Sequence, residues 1–250
     1  MRLVERFRER PHTCAYLPDR LASLDVAMLV DVTAGDLGIL LEAGWRRFGP
    51  SYFRPVCVGC RECVSLRVPA ATFQPSRSQR RARRLAAGLV RAVGVPAVDD
   101  ERVELYRRWH AQRERAKGWD EGSIDEERYA FDFAFEHPAV REVTFRDPSH
   151  AGRLVGLGIV DEVPGAVSAV IFFWDPEFSP PSLGVAHVVW LIEEAAARGL
   201  AHVYLGYRVA DCASLAYKSR YGPHELLLTL PGHTAPVWSA PGPSGDWSDE

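Results

Sequence analysis

Residues 166–174 read AVSAVIFFW. The segment has no glycine or proline and is dominated by valine, isoleucine and phenylalanine, which suits a strand inside a sheet. Two segments of the same chemistry precede it, VREVTF (140–145) and RLVGLGIVDEV (153–163). A helix should follow over 183–198, with Val185, Val188, Val189 and Ile192 on its inner face, Ser182 as its cap and Gly199 as its stop. HVYLGYRV (202–209) returns to strand chemistry, CASLAYKSRY (212–221) to a short helix, and HELLLTL (224–230) to a last strand. Upstream, ERVELYRRWHAQRERAKG (101–118) is a helix with Val103, Tyr106, Trp109 and His110 on its apolar face and Gly118 at its end. Ser123 and Glu126 form a capping box for IDEERYAFDFAF (124–135). This order predicts an α+β fold, a mixed sheet flanked by helices.

The first part of the chain differs in chemistry. Thr33 caps a short helix that runs to Ala43 and stops at Gly44. YFRPVCVGCREC (52–63) packs Cys57, Cys60 and Cys63 at a spacing of three. SLRVPAATF (65–73) can be a strand, and Ser76 can cap an arginine-rich helix reaching about Val90. GVPAVDD (94–100) breaks the chain. The expected organisation is therefore a small cysteine-containing N-terminal lobe (1–95), a larger lobe (96–230) and a loose, Pro/Gly/Ser-rich tail (231–250).

Composition narrows the function. The chain has 250 residues, a net charge of −3 and a pI near 6.3, so nucleic-acid binding must come from a local patch rather than from bulk charge. No apolar run reaches the ~18 residues of a membrane span, and MRLVERFRER at the start lacks the core of a secretory signal. Five cysteines, three of them crowded, suggest reduced thiols and a cytoplasmic location, with no membrane partner.

Several segments, in order, carry a resemblance: CAYLP (14–18), GWRRFGPSYFRPVCVGCRECVSLRV (44–68), FQPSRSQRR (73–81), FFWDPEF (172–178), SLGVA (182–186) and YLGYRVADCASLAYKSRYGPHELL (204–227). Together the set resembles the aminoacyl-tRNA–protein transferases, and the compact length and tight cysteine triplet look like the bacterial branch. The chain departs from the family's usual pattern at Phe48, Ile171 and Arg208. The resemblance implies an acyltransferase lobe of the N-acetyltransferase type, with two central strands splayed around the reacting group. It further implies transfer of leucine, with arginine as the sister alternative, from charged tRNA to proteins that begin with Asp or Glu, and no cofactor for the transfer itself.

Such a reaction is aminolysis of an activated ester. An α-amine of pKa ~7.7–8 is substantially unprotonated at cellular pH, so positioning can supply most of the catalysis. No Ser-His-Asp signature is visible, and His110, His187 and His202 lie on apolar patterns that suggest structural roles. Asp175, at a strand end, could bind the α-ammonium or help remove a proton, although Asp-Pro is also a common turn. Tyr207 and Lys218 join it as catalytic candidates, Lys218 also as a contact for the tRNA end or the acidic acceptor. Trp174, Tyr217 and Tyr221 are candidates for substrate contact, or else for core packing. In the arginine helix, Ser76, Arg77 and Arg80 are expected to hold the acidic acceptor, because guanidinium bonds carboxylate at two points, and Arg81 and Arg84 to meet tRNA phosphates. The plainer alternative for this run is a solvated helix surface.

The C-x2-C-x2-C spacing, with Cys14 as a fourth thiol, is commoner in iron–sulfur ligation than in zinc sites. Eukaryotic members of the resembling family bind a four-iron cluster through N-terminal cysteines, so the resemblance implies an iron–sulfur cluster, less readily zinc; a loop of free thiols is the alternative. Cys212 stands apart as a small buried hydrophobe. Two other functions compete. An acetyl-coenzyme-A acetyltransferase would want Gln or Arg where Pro181 stands. A non-catalytic binder of acidic N-termini would keep the acidic-residue pocket and lose tRNA binding, against which the arginine helix argues weakly.

Overall fold

The computed structural model describes residues 1–117, 124–178, 182–229 and 235–241. A four-stranded antiparallel sheet contains β1 (Arg2–Arg8), β4 (Leu24–Val30), β5 (Arg46–Phe48) and β6 (Ser51–Pro55) in the order β1-β4-β6-β5. The hairpin of β2 (His12–Thr13) and β3 (Leu21–Ala22) stands beside it in sequence. α1 (Ala34–Glu42) starts at a capping box in which Thr33 accepts from the Asp36 amide and Asp36 accepts from that of Thr33.

The larger sheet contains β7 (Val64–Pro69), β8 (Val90–Gly94), β9 (Val140–Asp147), β10 (Arg153–Val163), β11 (Ala166–Trp174), β12 (His202–Arg208), β13 (Glu225–Leu227) and β14 (Trp238–Ser239). Their order is β14-β13-β7-β12-β11-β10-β9-β8. Residues 64–94, grouped by sequence with the first lobe, thus contribute two strands to this sheet. α2 (Arg77–Leu85) and α5 (Leu183–Ala197) cover one face, through Ala82, Leu183, Val189 and Ile192. α3 (Asp100–Lys117) and α4 (Glu126–Phe133) cover the other, where Trp109, Tyr129, Phe133 and Phe173 pack together. α1 and the small sheet close over Val163, Ala166 and Tyr204. Short α6 (Ala213–Ala216) follows β12.

Several local expectations are corrected. α2 begins at the Ser76–Gln79 capping box as expected but ends at Leu85, and Val90 belongs to β8. Ser182 stands at the start of α5 with φ +89° and makes no side-chain cap. α4 is capped by Asp125; Ser123 and Gly118 lie outside the described residues, as does Pro181. Within the C-terminal segment, Trp238 is anchored: its Nε1 donates to the Glu42 carbonyl at 3.2 Å, and Arg67 lies over its ring at 4.4 Å. Residues 231–234 and 242–250 lie outside the description. Among the described residues no helix is long and apolar enough to cross a membrane.

Candidate active site at the splayed strands

β11 and β12 are the parallel pair of the large sheet, and they pair only from Ala166↔His202 to Ser168↔Tyr204. Each strand carries an irregularity just beyond that point. On β11 the register with β10 jumps between Ile171 and Ala169, leaving Val170 as the extra residue; on β12 the register with β7 jumps between Tyr204 and Gly206, leaving Leu205. A bulge bends its strand and ends regular pairing. Two bulges at one level drive the strands apart and open a gap between residues 169–174 and 205–208. The splay expected of an acyltransferase lobe is therefore present, and its cause is local. Gly206 holds φ +80°, which a side chain would disfavour.

One wall of the gap is aromatic and cationic. Trp174 packs edge-on to Trp109 at 6.0 Å, and Arg113 lies over both rings, at 4.7 Å from Trp174 and 5.3 Å from Trp109. Burial lowers the Arg113 pKa, and the charge of Tyr217 acts against that shift, so the 217 turn lies close to this wall. Tyr217 is exposed, whereas Tyr221 is buried and stacks on Phe73 at 6.4 Å. Tyr221 is thus a packing residue.

Asp175 sits fully buried at the end of this wall with its oxygens engaged. Arg153 pairs with Oδ2, Arg108 approaches the same oxygen at 3.4 Å, and the Glu177 amide donates to Oδ1 at 3.0 Å. It latches α3, β10 and the turn after β11. Tyr207 donates its hydroxyl to the carbonyls of Gly44 (2.8 Å) and Phe53 (3.2 Å), tying β12 to the small sheet, and burial raises its pKa. Lys218 turns its ammonium inward onto the Tyr207 carbonyl at 2.7 Å. Burial first, and then the charge of Arg46, push that ammonium down to about 7.

Ser76 and the arginines of α2 lie on the outer surface. Arg77, Arg80, Arg81, Arg83 and Arg84 are exposed, while Gln79 and Ala82 face inward. Arg77, Arg80, Arg83 and Arg84 line one shallow depression, and Ser76, Arg77, Ser78, Arg81 and Arg84 line another. Arg80 donates to the Pro75 carbonyl and Arg83 pairs with Glu193 at 2.9 Å. Gln79 Nε2 donates to the Arg220 carbonyl at 3.0 Å, joining this helix to the Lys218 turn.

The cysteine expectation gains no support from the geometry. Burial first, and then the nearby Cys57, Cys14 and Cys60, raise the Cys63 thiol to about 12. Yet among the described residues no three His, Cys, Asp or Glu side chains are arranged to hold a metal ion. The sulfurs are turned toward protein donors instead. Cys14 accepts from the Tyr16 amide, Cys57 from the Ser23 amide and Cys60 from Arg20, each at 3.4 Å. Cys212, half-buried, sits 3.1 Å from the Ser214 hydroxyl.

Residues 12–81 match the family model described as arginine-tRNA-protein transferase, N terminus, and residues 101–228 match its C-terminus model. The chain belongs to the arginine-tRNA-protein transferase family. Within this family it is similar to proteins named aspartate/glutamate leucyltransferase. One from Helicobacter hepaticus is 32% identical over 95% of this chain and 98% of that protein. Another, from Chromobacterium violaceum, is 36% identical over 90% of this chain and 91% of that protein. Among solved structures, the crystal structure of FemX aligns with a TM-score of 0.49 at 10% identity, covering 82% of this chain and 69% of that one.

Two cationic residues near the family's splayed strands escape a sequence reading. Arg113 follows Trp109 by one helical turn, a spacing at which an arginine can lie on an indole, though it is also an ordinary surface pattern. Arg46 stands in the quoted GWRR, but nothing in that string says which of two adjacent arginines has a carboxylate waiting for it.

Proposed function

We propose that this chain transfers leucine from leucyl-tRNA to the α-amine of proteins whose first residue is Asp or Glu. The observation that carries this reading is the near-full-length similarity to relatives named for that activity. The splayed strand pair supports it. The amine nitrogen would bond to the ester carbonyl carbon, the C–O bond to the tRNA 3′ end would break, and the amine's proton would end on the released hydroxyl. With Asp175 held by two arginines and Tyr207 by two carbonyls, neither is free to carry that proton. Positioning is left as the main source of rate, within the ~7–11 kcal/mol that orientation can supply. Trp174, Arg113 and Tyr217 suit the charged 3′ end, by stacking and by charge. No cofactor enters the transfer, and the cysteine loop acts as a fastener between the hairpin and β6. Charged tRNA places the reaction in the cytoplasm.

The test is transfer of labelled leucine or arginine from charged tRNA to peptides differing only at residue one. Label should pass from leucyl-tRNA to Asp- and Glu-peptides and not to Asn- or Gln-peptides. Transfer solely from arginyl-tRNA, or no transfer by folded protein, would overturn the reading.

The α2 arginines would receive tRNA phosphates. Reversing two charges, Arg81→Glu with Arg84→Glu, should weaken tRNA binding ~10- to 100-fold and reduce the salt slope of log K by about 2. Peptide KM should not move. Filter binding across a salt series checks this, and an unchanged slope would place the tRNA elsewhere.

A further inference from the structure

Arg46 is buried, at 8% exposure, and no ion pair joins it to a carboxylate among the described residues. Its Nη1 donates to the carbonyls of Trp45 (2.6 Å) and Leu41 (3.4 Å), while Nε and Nη2 are buried with no partner among the described residues. Its neighbours in the same sheet are satisfied: Arg47 holds Asp161, and Arg54 shares Asp25 with Arg6. Nothing acidic stands among the groups that act on the Arg46 charge, which are the phenols of Tyr207 and Tyr204. The guanidinium lies over both tyrosine rings, 5.5 Å from each centre.

A second cation lies alongside. A Cβ placed on Gly206 would stand 3.4 Å from Lys218 Nζ and 3.9 Å from Arg46 Nε, so the bare face of one glycine separates the two. The groups acting on Lys218 are Arg46, Cys63 and Cys212, and none is a carboxylate. Gly206 is itself partly exposed and begins the splayed part of β12. A buried cation without a carboxylate costs several kcal/mol, and this fold sets Arg46 beside the carbonyl-bound Lys218 at its reaction gap.

We propose that Arg46, with Lys218 beside it, receives the acidic side chain of the acceptor's first residue, the carboxylate lying along the Nε–Nη2 edge of Arg46 over Gly206. This rests on the transfer reaction proposed above. The two orphaned nitrogens form one edge of the guanidinium, which matches the two oxygens of a carboxylate. A carboxylate at the tip of a side chain can approach a buried guanidinium end-on; a phosphodiester is continued by chain on both sides. In Asp and Glu that tip is only a few bonds from the α-amine, so seating it at Gly206 delivers the amine to the gap. The acidic-acceptor site then lies on β5 and β12 rather than at Arg77 and Arg80.

The experiment measures leucine transfer to Asp- and Asn-peptides by wild type, Arg46→Met and Arg46→Lys. Arg46→Met should raise KM for the Asp-peptide ~100-fold, leave KM for leucyl-tRNA unchanged and abolish the preference of Asp over Asn. Arg46→Lys, which keeps a charge without the fork, should lose ~10-fold on the Asp-peptide. The Tm of Arg46→Met should match or exceed wild type, because no protein carboxylate is orphaned; a purely structural arginine would lower it. A variant that retains the Asp/Asn preference sinks the assignment while the transfer reaction stands. A rise in tRNA KM instead would make Arg46 a phosphate contact and overturn it too. If wild type transfers leucine to neither peptide, it is the reaction itself that fails. Should Arg46→Met not fold, Arg46→Lys decides by the same two ratios.

Discussion

Arg47→Met should lower the unfolding free energy by about 3–5 kcal/mol. Arg47 and Asp161 are almost sealed from solvent, with side-chain exposures of 4% and 1%. Arg47 Nε and Nη2 both reach Asp161, and Nη1 donates to the Gly49 carbonyl at 2.9 Å. The pair rivets β5 of the small sheet to β10 of the large one. Burial already raises the Asp161 pKa, and Arg47 opposes that shift. Removing the arginine leaves a carboxylate with nothing to offset its desolvation. Its folded pKa then rises further above the unfolded value, so the deficit should be full near neutrality and shrink as pH falls toward ~4. Arg47→Met combined with Asp161→Leu should recover most of the loss, since no charge remains buried. Urea midpoints at constant m-value check all three. A double variant no better than the single one would show that the arginine acts through packing.

A shift from pH 8 to pH 5 should cost about 4 kcal/mol through two histidines. His187 lies wholly buried with neither ring nitrogen bonded among the described residues, and burial pushes it down to about 3. Its ring stacks on Phe172 at 4.5 Å and fills the notch left by Gly158, where a Cβ would stand 2.5 Å from the ring. His137 accepts from the Ala139 amide through Nδ1, and burial with nearby Arg47 pushes it down to about 4. Both folded values lie below the unfolded ~6.5, so the unfolded chain binds the extra protons. Stability is whole above ~6.5 and declines as pH falls toward the folded values, each histidine losing about 2 kcal/mol by pH 5. His187→Leu should remove half of that slope and, by deleting two unbonded buried nitrogens, stabilise the protein at every pH. Equal pH dependence in the variant and wild type, measured by urea unfolding, would refute the assignment.

The second half of the fold was legible because its strands are apolar and its helices carry one apolar face. Thr33 and Ser76 were legible as caps because a cap needs only local residues. β1 was not: all seven of its residues are exposed, so RLVERFR shows no alternation, and its pairing with β4 rests on backbone bonds and on Arg6–Asp25. The family resemblance could place the gap on the two central strands, but not the bulges at Val170 and Leu205 that open it. The candidate residues divided for one reason. Sequence shows which side chains carry charge, but not which already have a partner. Asp175 looked available and is held by Arg108 and Arg153; Arg46 looked ordinary and is a buried arginine with no acid among the described residues.

The position of β7 bears on how the chain can fold. This strand, Val64–Pro69, hydrogen-bonds to β12 on one side and β13 on the other, and those partners lie at 202–208 and 225–227. A ribosome that has made the first hundred residues has finished β7 without having made either neighbour. The middle of the large sheet must therefore wait for almost the whole chain, and the entropy of closing a loop of well over a hundred residues is met before those ladders form. Until then Leu66 and Val68, wholly enclosed in the finished protein, stay open to water and to other chains. Such high contact order makes for slow assembly and makes the nascent chain a natural client for chaperones.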